Sequence, residues 1–234
     1  MINKIKRLIN IFTRSKLNYL ENSFRTKVLV REIEKETVKE NFNFFKEHFK
    51  NAMLFYSAKQ IRKYSINKAI KYDIKGDCSY LEFGVYKGSS IKYFSEFVKK
   101  IYGFDSFKGI EKDFIGTFYD ESSFKLNKIP KDLPQNVELV IGRIEDTLDP
   151  FLEKNNNKII FVHIDVDNYE VTKIILKKIK PFLEKNAILL FDELFNYPGW
   201  RNNEFKALYQ EFTEHEFIYK AFNLHHTQVC LQIK

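Results

Sequence analysis

Only two of the 234 residues are cysteine. Cys78 and Cys230 stand far apart with no C-x-x-C spacing, which excludes a disulfide framework and a cysteine-rich metal site; both border apolar runs and read as small core residues. Long apolar runs are also missing. No stretch approaches the roughly 18 uninterrupted apolar residues that a membrane-spanning helix needs. Nor is there a secretion signal, because Lys4, Lys6, Arg7 and Arg14 break up the N-terminal apolar residues and no small-residue cleavage site follows. The expected location is therefore the cytoplasm. The chain shows no internal repeat and no low-complexity tract, which speaks against a solenoid or a disordered linker protein.

Net charge is scarce in the main body. The formal net charge is +8, yet residues 1–31 hold eight basic side chains against Glu21 alone, a balance of +7 that leaves +1 for the rest. That distribution argues against a nucleic-acid groove across the body. Ile2, Ile5, Ile9 and Phe12 recur at helical spacing among the basic residues, so the arm is expected to begin as a basic amphipathic helix. Two partners stay open for it: protein, either its own body or a second subunit, and an anionic membrane surface.

What remains is rich in order. Residues 30–75 carry helical patterns (Phe42, Phe45, Phe49, then Met53 to Ile70) and no strand signal. From Cys78 onward, apolar runs of strand length alternate with helical stretches. The spacing predicts strands at Cys78–Phe83, Ile101–Phe104, Val137–Ile141, Lys158–Ile164 and Ala187–Phe191, and helices from Ser89, over Val171–Leu183 and near Asn203–Phe212. Helices between buried strands imply a parallel sheet covered on both faces. Glu216–Ala221 and Thr227–Ile233 form a closing antiparallel hairpin. The expected organisation is a basic arm and helical extension over residues 1–75 and one α/β domain over residues 76–234. A segment without periodicity, from Ser106 to Asn136, reads as a binding loop. Its lysines, Lys108, Lys112, Lys125, Lys128 and Lys131, read either as a solvated surface or as contacts to phosphates.

Two strands end in acid. The run leading to "HIDVDNYE" stops at Asp165 and Asp167, and "AILLFDEL" stops at Asp192-Glu193. Neighbouring parallel strands finish on one edge, so Asp165, Asp192 and Glu193 are expected to converge there. Carboxylates that close repel one another unless a cation sits among them. An all-oxygen set suits Mg²⁺ or another divalent ion. His163 points to the same face as Asp165, either as a hydrogen-bonded core histidine or as a partner of the acids.

At the first strand, "YLEFGVYKGSSIKYF" places Gly84 and Gly88 at a turn, with Ser89 or Ser90 to cap the following helix. The spacing is G-x-x-x-G, without the third glycine of a dinucleotide fingerprint, and Glu82 would repel a pyrophosphate. An acid there suits a cofactor bearing an amino group and a sulfonium cation. Asp105, 21 residues after Gly84 at the end of the second strand, is placed to accept ribose hydroxyls.

"EFGVYKGSS", "GFDSFKG", "GRIEDTL", "HIDVDNYEVT" and "LLFDELFNYPGW" occur in the order found in class I S-adenosylmethionine-dependent methyltransferases. Over residues 75–234 the chain resembles, more narrowly, the macrocin O-methyltransferase (TylF-type) family of sugar methyltransferases. The resemblance implies a Rossmann-like, seven-stranded, mostly parallel sheet whose last strand is antiparallel. It implies S-adenosylmethionine held by Glu82, Phe83, Gly84, Tyr86, Gly88, Ser89, Ser90, Asp105, Ser106, Gly142, Arg143 and Asp165. It assigns Asp165, Asp192 and Glu193 to a divalent metal and Asp167 to the catalytic base. Glu193 departs from the aspartate common at that place in the family. Tyr197, Trp200 and Arg201 are candidates for the acceptor site, with Trp200 equally readable as a loop anchor. The acceptor implied is a sugar or nucleotide-sugar hydroxyl, and a homo-oligomer formed through N-terminal helices is expected. Three rivals remain: a catechol-type O-methyltransferase, a nicotinamide-dependent dehydrogenase, and a non-catalytic membrane-associated scaffold.

Overall fold

The computed structural model describes residues 2–110 and 112–234, with residues 2–22 and 24 described by their backbone alone. The expected apolar stripe of Ile2, Ile5, Ile9 and Phe12 therefore lies outside the described side chains. A long helix, α1 (Ile2–Phe49), opens the chain. Contacts divide the chain after Asn43. The first unit is helical throughout, with Lys35 and Glu32 paired along its surface. The second, Phe44–Lys234, begins with the last turns of α1, so residues 44–75 are part of the α/β body.

That body holds an eight-stranded sheet, one strand more than expected. The addition is β1 (Met53–Phe55), where a helix was predicted. It is three residues long, half exposed, and pairs parallel with a late strand, so it has neither the length nor the burial that leaves a periodic signal. Next comes α2 (Ala58–Tyr72), whose start is capped by Ser57 accepting from the Gln60 N–H, while Gln60 Oε1 accepts from the Tyr56 N–H. Then follow β2 (Ser79–Phe83), α3 (Ser89–Ser95), β3 (Ile101–Asp105) and β4 (Val137–Ile141). α4 (Ile144–Lys154), β5 (Ile159–Ile164), α5 (Tyr169–Ile179) and β6 (Leu183–Phe191) complete the crossovers. α6 (Glu204–Glu211), β7 (Phe217–Asn223) and β8 (Val229–Ile233) close the chain.

The strand order is β1-β7-β8-β6-β5-β2-β3-β4. β8 runs antiparallel to both β6 and β7, as expected of the last strand. Every residue of β2 and β5 is buried, which explains the near-continuous apolar sequence of β5. One face of the sheet packs Ile61, Ile66, Ile91 and Phe94 against Phe161 and Leu190; the other packs Ile175, Leu176 and Ile179 against Val162 and Leu189. Each such fully buried side chain contributes about 1.5–3 kcal/mol.

One relation of this sheet positions everything that follows. β2 and β5 are neighbours, yet the chain leaves β2 toward β3 on one side and β5 toward β6 on the other, so a crevice opens beyond their carboxyl ends. Phe83 is in register with Ile164, and Ile164 with Phe191. The next residue of each strand is Gly84, Asp165 and Asp192, side by side. The Asp165 N–H donates to the Phe83 carbonyl and the Asp192 N–H to the Ile164 carbonyl, both at 2.9 Å.

Candidate active site

A cavity of about 330 Å³ occupies this edge, within the usual range for small-molecule sites. Gly84, Tyr86, Asp105, Ser106, Gly142 and Arg143 line it together with Asp165, Asp167, Asp192 and Glu193. The segment between Ser106 and Asn136 contributes Gly109, Ile110, Tyr119 and Phe124, so the stretch read as a binding loop forms one wall.

Gly84 has φ +88, and an added Cβ would sit 1.7 Å from the Asp165 carbonyl oxygen; only glycine fits between the two strands. Tyr86 (φ 47) and Asp167 (φ 53) hold left-handed backbone without being glycine. Strain of this kind gathers at sites where the surroundings over-determine it.

Asp105 closes the glycine turn. Its Oδ2 accepts from the Val85 and Tyr86 N–H groups at 2.8 and 2.7 Å, and its Oδ1 accepts from the Phe107 N–H at 2.6 Å. A carboxylate has about four acceptor positions. Three are used here, so one remains for a ligand, where the sequence suggested room for both hydroxyls of a ribose.

Several expected ligand contacts are internal instead. Glu82 is wholly buried beneath the cavity, where it accepts from Ser90 Oγ at 2.8 Å and lies 3.3 Å from His163 Nδ1. Strand alternation explains this: Glu82 is in register with His163, so the two side chains share a face. Phe83 stacks on Phe104 in the core. The N-cap of α3 is Gly88, which has no side-chain cap, rather than Ser89 or Ser90. Trp200 is 1 % exposed, edge-on to Phe44 and Phe205. The Tyr197 hydroxyl accepts from Asn203 Nδ2, and the Arg201 guanidinium lies 4.2 Å over the Trp200 ring. None of these three lines the cavity. Lys112 pairs with Glu170.

The acids gather at one edge, though the expected three, Asp165, Asp192 and Glu193, do not form one compact set. Asp165, Asp167 and Glu193 offer oxygens within 4.8 Å of one another, and His163, Asp165 and Asp192 form a second such group. Asp165 is common to both. Burial, then the charge of Asp192, drives Asp165 and Glu193 well above the ordinary carboxylate range and pushes Asp167 up to about 7. Glu193 Oε2 is buried without any partner. A cluster of carboxylate oxygens, one of them orphaned, matches the donor set of a hard divalent cation.

Asp192 is the exception. Its Oδ1 accepts from Arg62 Nη2 at 3.2 Å and Gln228 Nε2 at 2.6 Å and faces His163 Nε2 at 3.2 Å. Burial opposes its ionisation, but His163, Arg62 and Gln228 together outweigh it and hold Asp192 below the usual carboxylate range. Arg62 and Gln228 were missed in the sequence, as was Glu204, a wholly buried acid at the start of α6. Arg62 sits in the basic-looking run "AKQIRKYS", and only the packing of α2 against the sheet shows which cation turns inward.

Residues 81–194 match the family model described as a methyltransferase domain. Over those residues the chain is similar to methyltransferase domains. It shares its fold with the calicheamicin methyltransferase CalS11 at a TM-score of 0.60 and 21% identity, covering 85% of each chain. The apo structure of CalS11 as a TDP-rhamnose 3'-O-methyltransferase aligns at a TM-score of 0.55 and 20% identity, covering 74% of this chain and 77% of that one. The O-methyltransferase NovP aligns at 0.54 and 16% identity over 75% and 79% of the two chains. No curated protein matches the chain by sequence. Among its described residues, no helix is long and apolar enough to cross a membrane.

Proposed function

We propose that this protein is a methyltransferase that acts on a sugar hydroxyl, on a nucleotide-linked sugar or a surface polysaccharide precursor, with the help of a divalent cation such as Mg²⁺. The observation that carries the reading is one cavity lined both by the glycine turn and by the acid cluster. The likeness in fold to a protein described as a TDP-rhamnose 3'-O-methyltransferase supports the sugar.

S-adenosylmethionine, when bound, supplies an electrophilic methyl group, and a divalent cation supplies Lewis acidity toward a hydroxyl oxygen. On this reading Gly84, Tyr86, Asp105, Ser106, Gly142 and Arg143 hold the cofactor. Asp165, Asp192 and Glu193 hold the cation, Asp192 through the oxygen that Arg62 and Gln228 leave free. Asp167 accepts the acceptor's proton. Its elevated position near 7 suits a base working at neutral pH. Orientation in such a cleft supplies several of the roughly 7–11 kcal/mol that positioning offers.

On the same reading the acceptor is a small molecule, the enzyme works in the cytoplasm, and the N-terminal helix serves self-assembly, which sedimentation of the full chain against a chain lacking residues 1–43 would test. The deciding assay offers labelled S-adenosylmethionine with nucleotide sugars and catechols side by side, with and without exhaustive chelation. Label is expected in a nucleotide sugar, and only when a divalent ion is present. Transfer to catechols alone, or full turnover after chelation, overturns the sugar or the metal respectively.

A further inference from the structure

Glu204 opens α6 and returns to the end of β6. The intervening turn is pinned by buried Trp200 and by Asn203, whose Nδ2 bonds the Tyr197 hydroxyl. One oxygen of Glu204, Oε2, accepts from the Glu193 N–H at 3.0 Å. The other, Oε1, is buried with no partner, in a side chain with 0% exposure. A glutamine at this place would serve the Glu193 N–H equally well, so the negative charge is not needed for that bond. The side chain lies within electrostatic reach of Asp167, Asp165 and Asp192. An unpaired carboxylate kept among other carboxylates is costly unless something positive is regularly present.

We propose, on the strength of the metal-assisted reading above, that Glu204 is a positioning residue of the cation site: it carries Glu193 on its backbone bond and adds charge from behind the Asp165, Asp167 and Glu193 group. Glu204 belongs to neither compact set of ligand oxygens, so its part is to hold the site and not to ligate.

The test is Glu204→Gln in the full chain, without cofactor or acceptor. Mn²⁺ titrated calorimetrically into chelated protein should bind at least about tenfold more weakly in the variant than in the parent, because the charge behind the site is gone. In chelator the variant should unfold at a higher temperature than the parent, and Mg²⁺ should raise that temperature less. Glu204→Asp, which keeps the charge but shortens the reach to the Glu193 N–H, should hold Mn²⁺ better than Glu204→Gln, and it serves as the measurement if the latter does not fold. Equal Mn²⁺ affinity in parent and Glu204→Gln overturns the proposal while leaving the metal site intact. No Mn²⁺ binding by the parent overturns the metal-assisted reading and this proposal with it.

Discussion

Arg62 Nη2 stands 3.2 Å from Asp192 Oδ1, joining a helix that precedes the first core strand to the acid that ends β6. Both side chains are mostly buried, at 20% and 16% exposure, so solvent screens the pair little. Removing one partner leaves the other charge buried. Arg62→Met is expected to destabilise the protein by about 1–3 kcal/mol, the lower part of the range for a buried ion pair, because His163 and Gln228 still serve the same oxygen. Urea unfolding measures it. Asp192→Asn should then cost less in the Arg62→Met background than in the parent, and additive losses would show that the two groups do not interact.

Gly84→Ala tests the close approach of β2 and β5. The new Cβ would meet the Asp165 carbonyl at 1.7 Å, with backbone and not a flexible side chain in the way, and φ +88 is itself unfavourable for alanine. Strain and displacement together should cost more than about 2 kcal/mol and shift Asp165. The expected result is a large drop in unfolding temperature and weak S-adenosylhomocysteine binding. Native stability with unchanged binding would mean that the two strands are further apart than described.

Much of this was readable in advance, and the reasons are physical. β5 and the Ala187–Phe191 half of β6 announce themselves because strand segments buried on both faces are almost wholly apolar, and the acids that follow stand out against that background. Side-chain direction was harder. Glu82 was correctly marked as unusual but turned toward His163, because register across strands, not sequence distance, decides which side chains meet. Trp200 lies beside the acids in sequence yet packs into the aromatic cluster around Phe45, whose residues come from distant parts of the chain. Glu204 stands in the first turn of a helix, a common place for an acid, and nothing local distinguishes it.

The acid cluster makes the metal-free protein sensitive to pH. Asp167, at about 7 in the folded state and near 3.9 unfolded, keeps a proton between those values that the unfolded chain has released. Raising the pH withdraws it, so stability falls. Burial alone would depress His163, but Asp192 and Glu82 carry it up to about 9, and its contribution is complete below about 6.5 and lost as pH rises through 9. Asp192, held low, works in the opposite direction only below about pH 4. Thermal unfolding in chelator should therefore show a lower midpoint at pH 8.5 than at pH 5, with Mg²⁺ reducing the difference. A higher midpoint at the alkaline end would mean these groups are not buried together.

Asp167→Asn separates catalysis from binding. The amide keeps the size of the carboxyl group and its place beside Glu193, but it cannot take a proton from an attacking hydroxyl. General-base contributions are typically 10²–10⁴-fold, so turnover should fall by about that factor. S-adenosylhomocysteine affinity should stay within about threefold, because Asp167 adjoins the cofactor's lining residues without closing the glycine turn, a task that falls to Asp105. Asp165→Asn should behave differently, weakening Mn²⁺ binding as well as turnover, since Asp165 belongs to both groups of candidate ligands. Near-native turnover in Asp167→Asn, with both ligands bound, would move the base elsewhere. A loss of Mn²⁺ affinity equal to that of Asp165→Asn would make Asp167 a ligand.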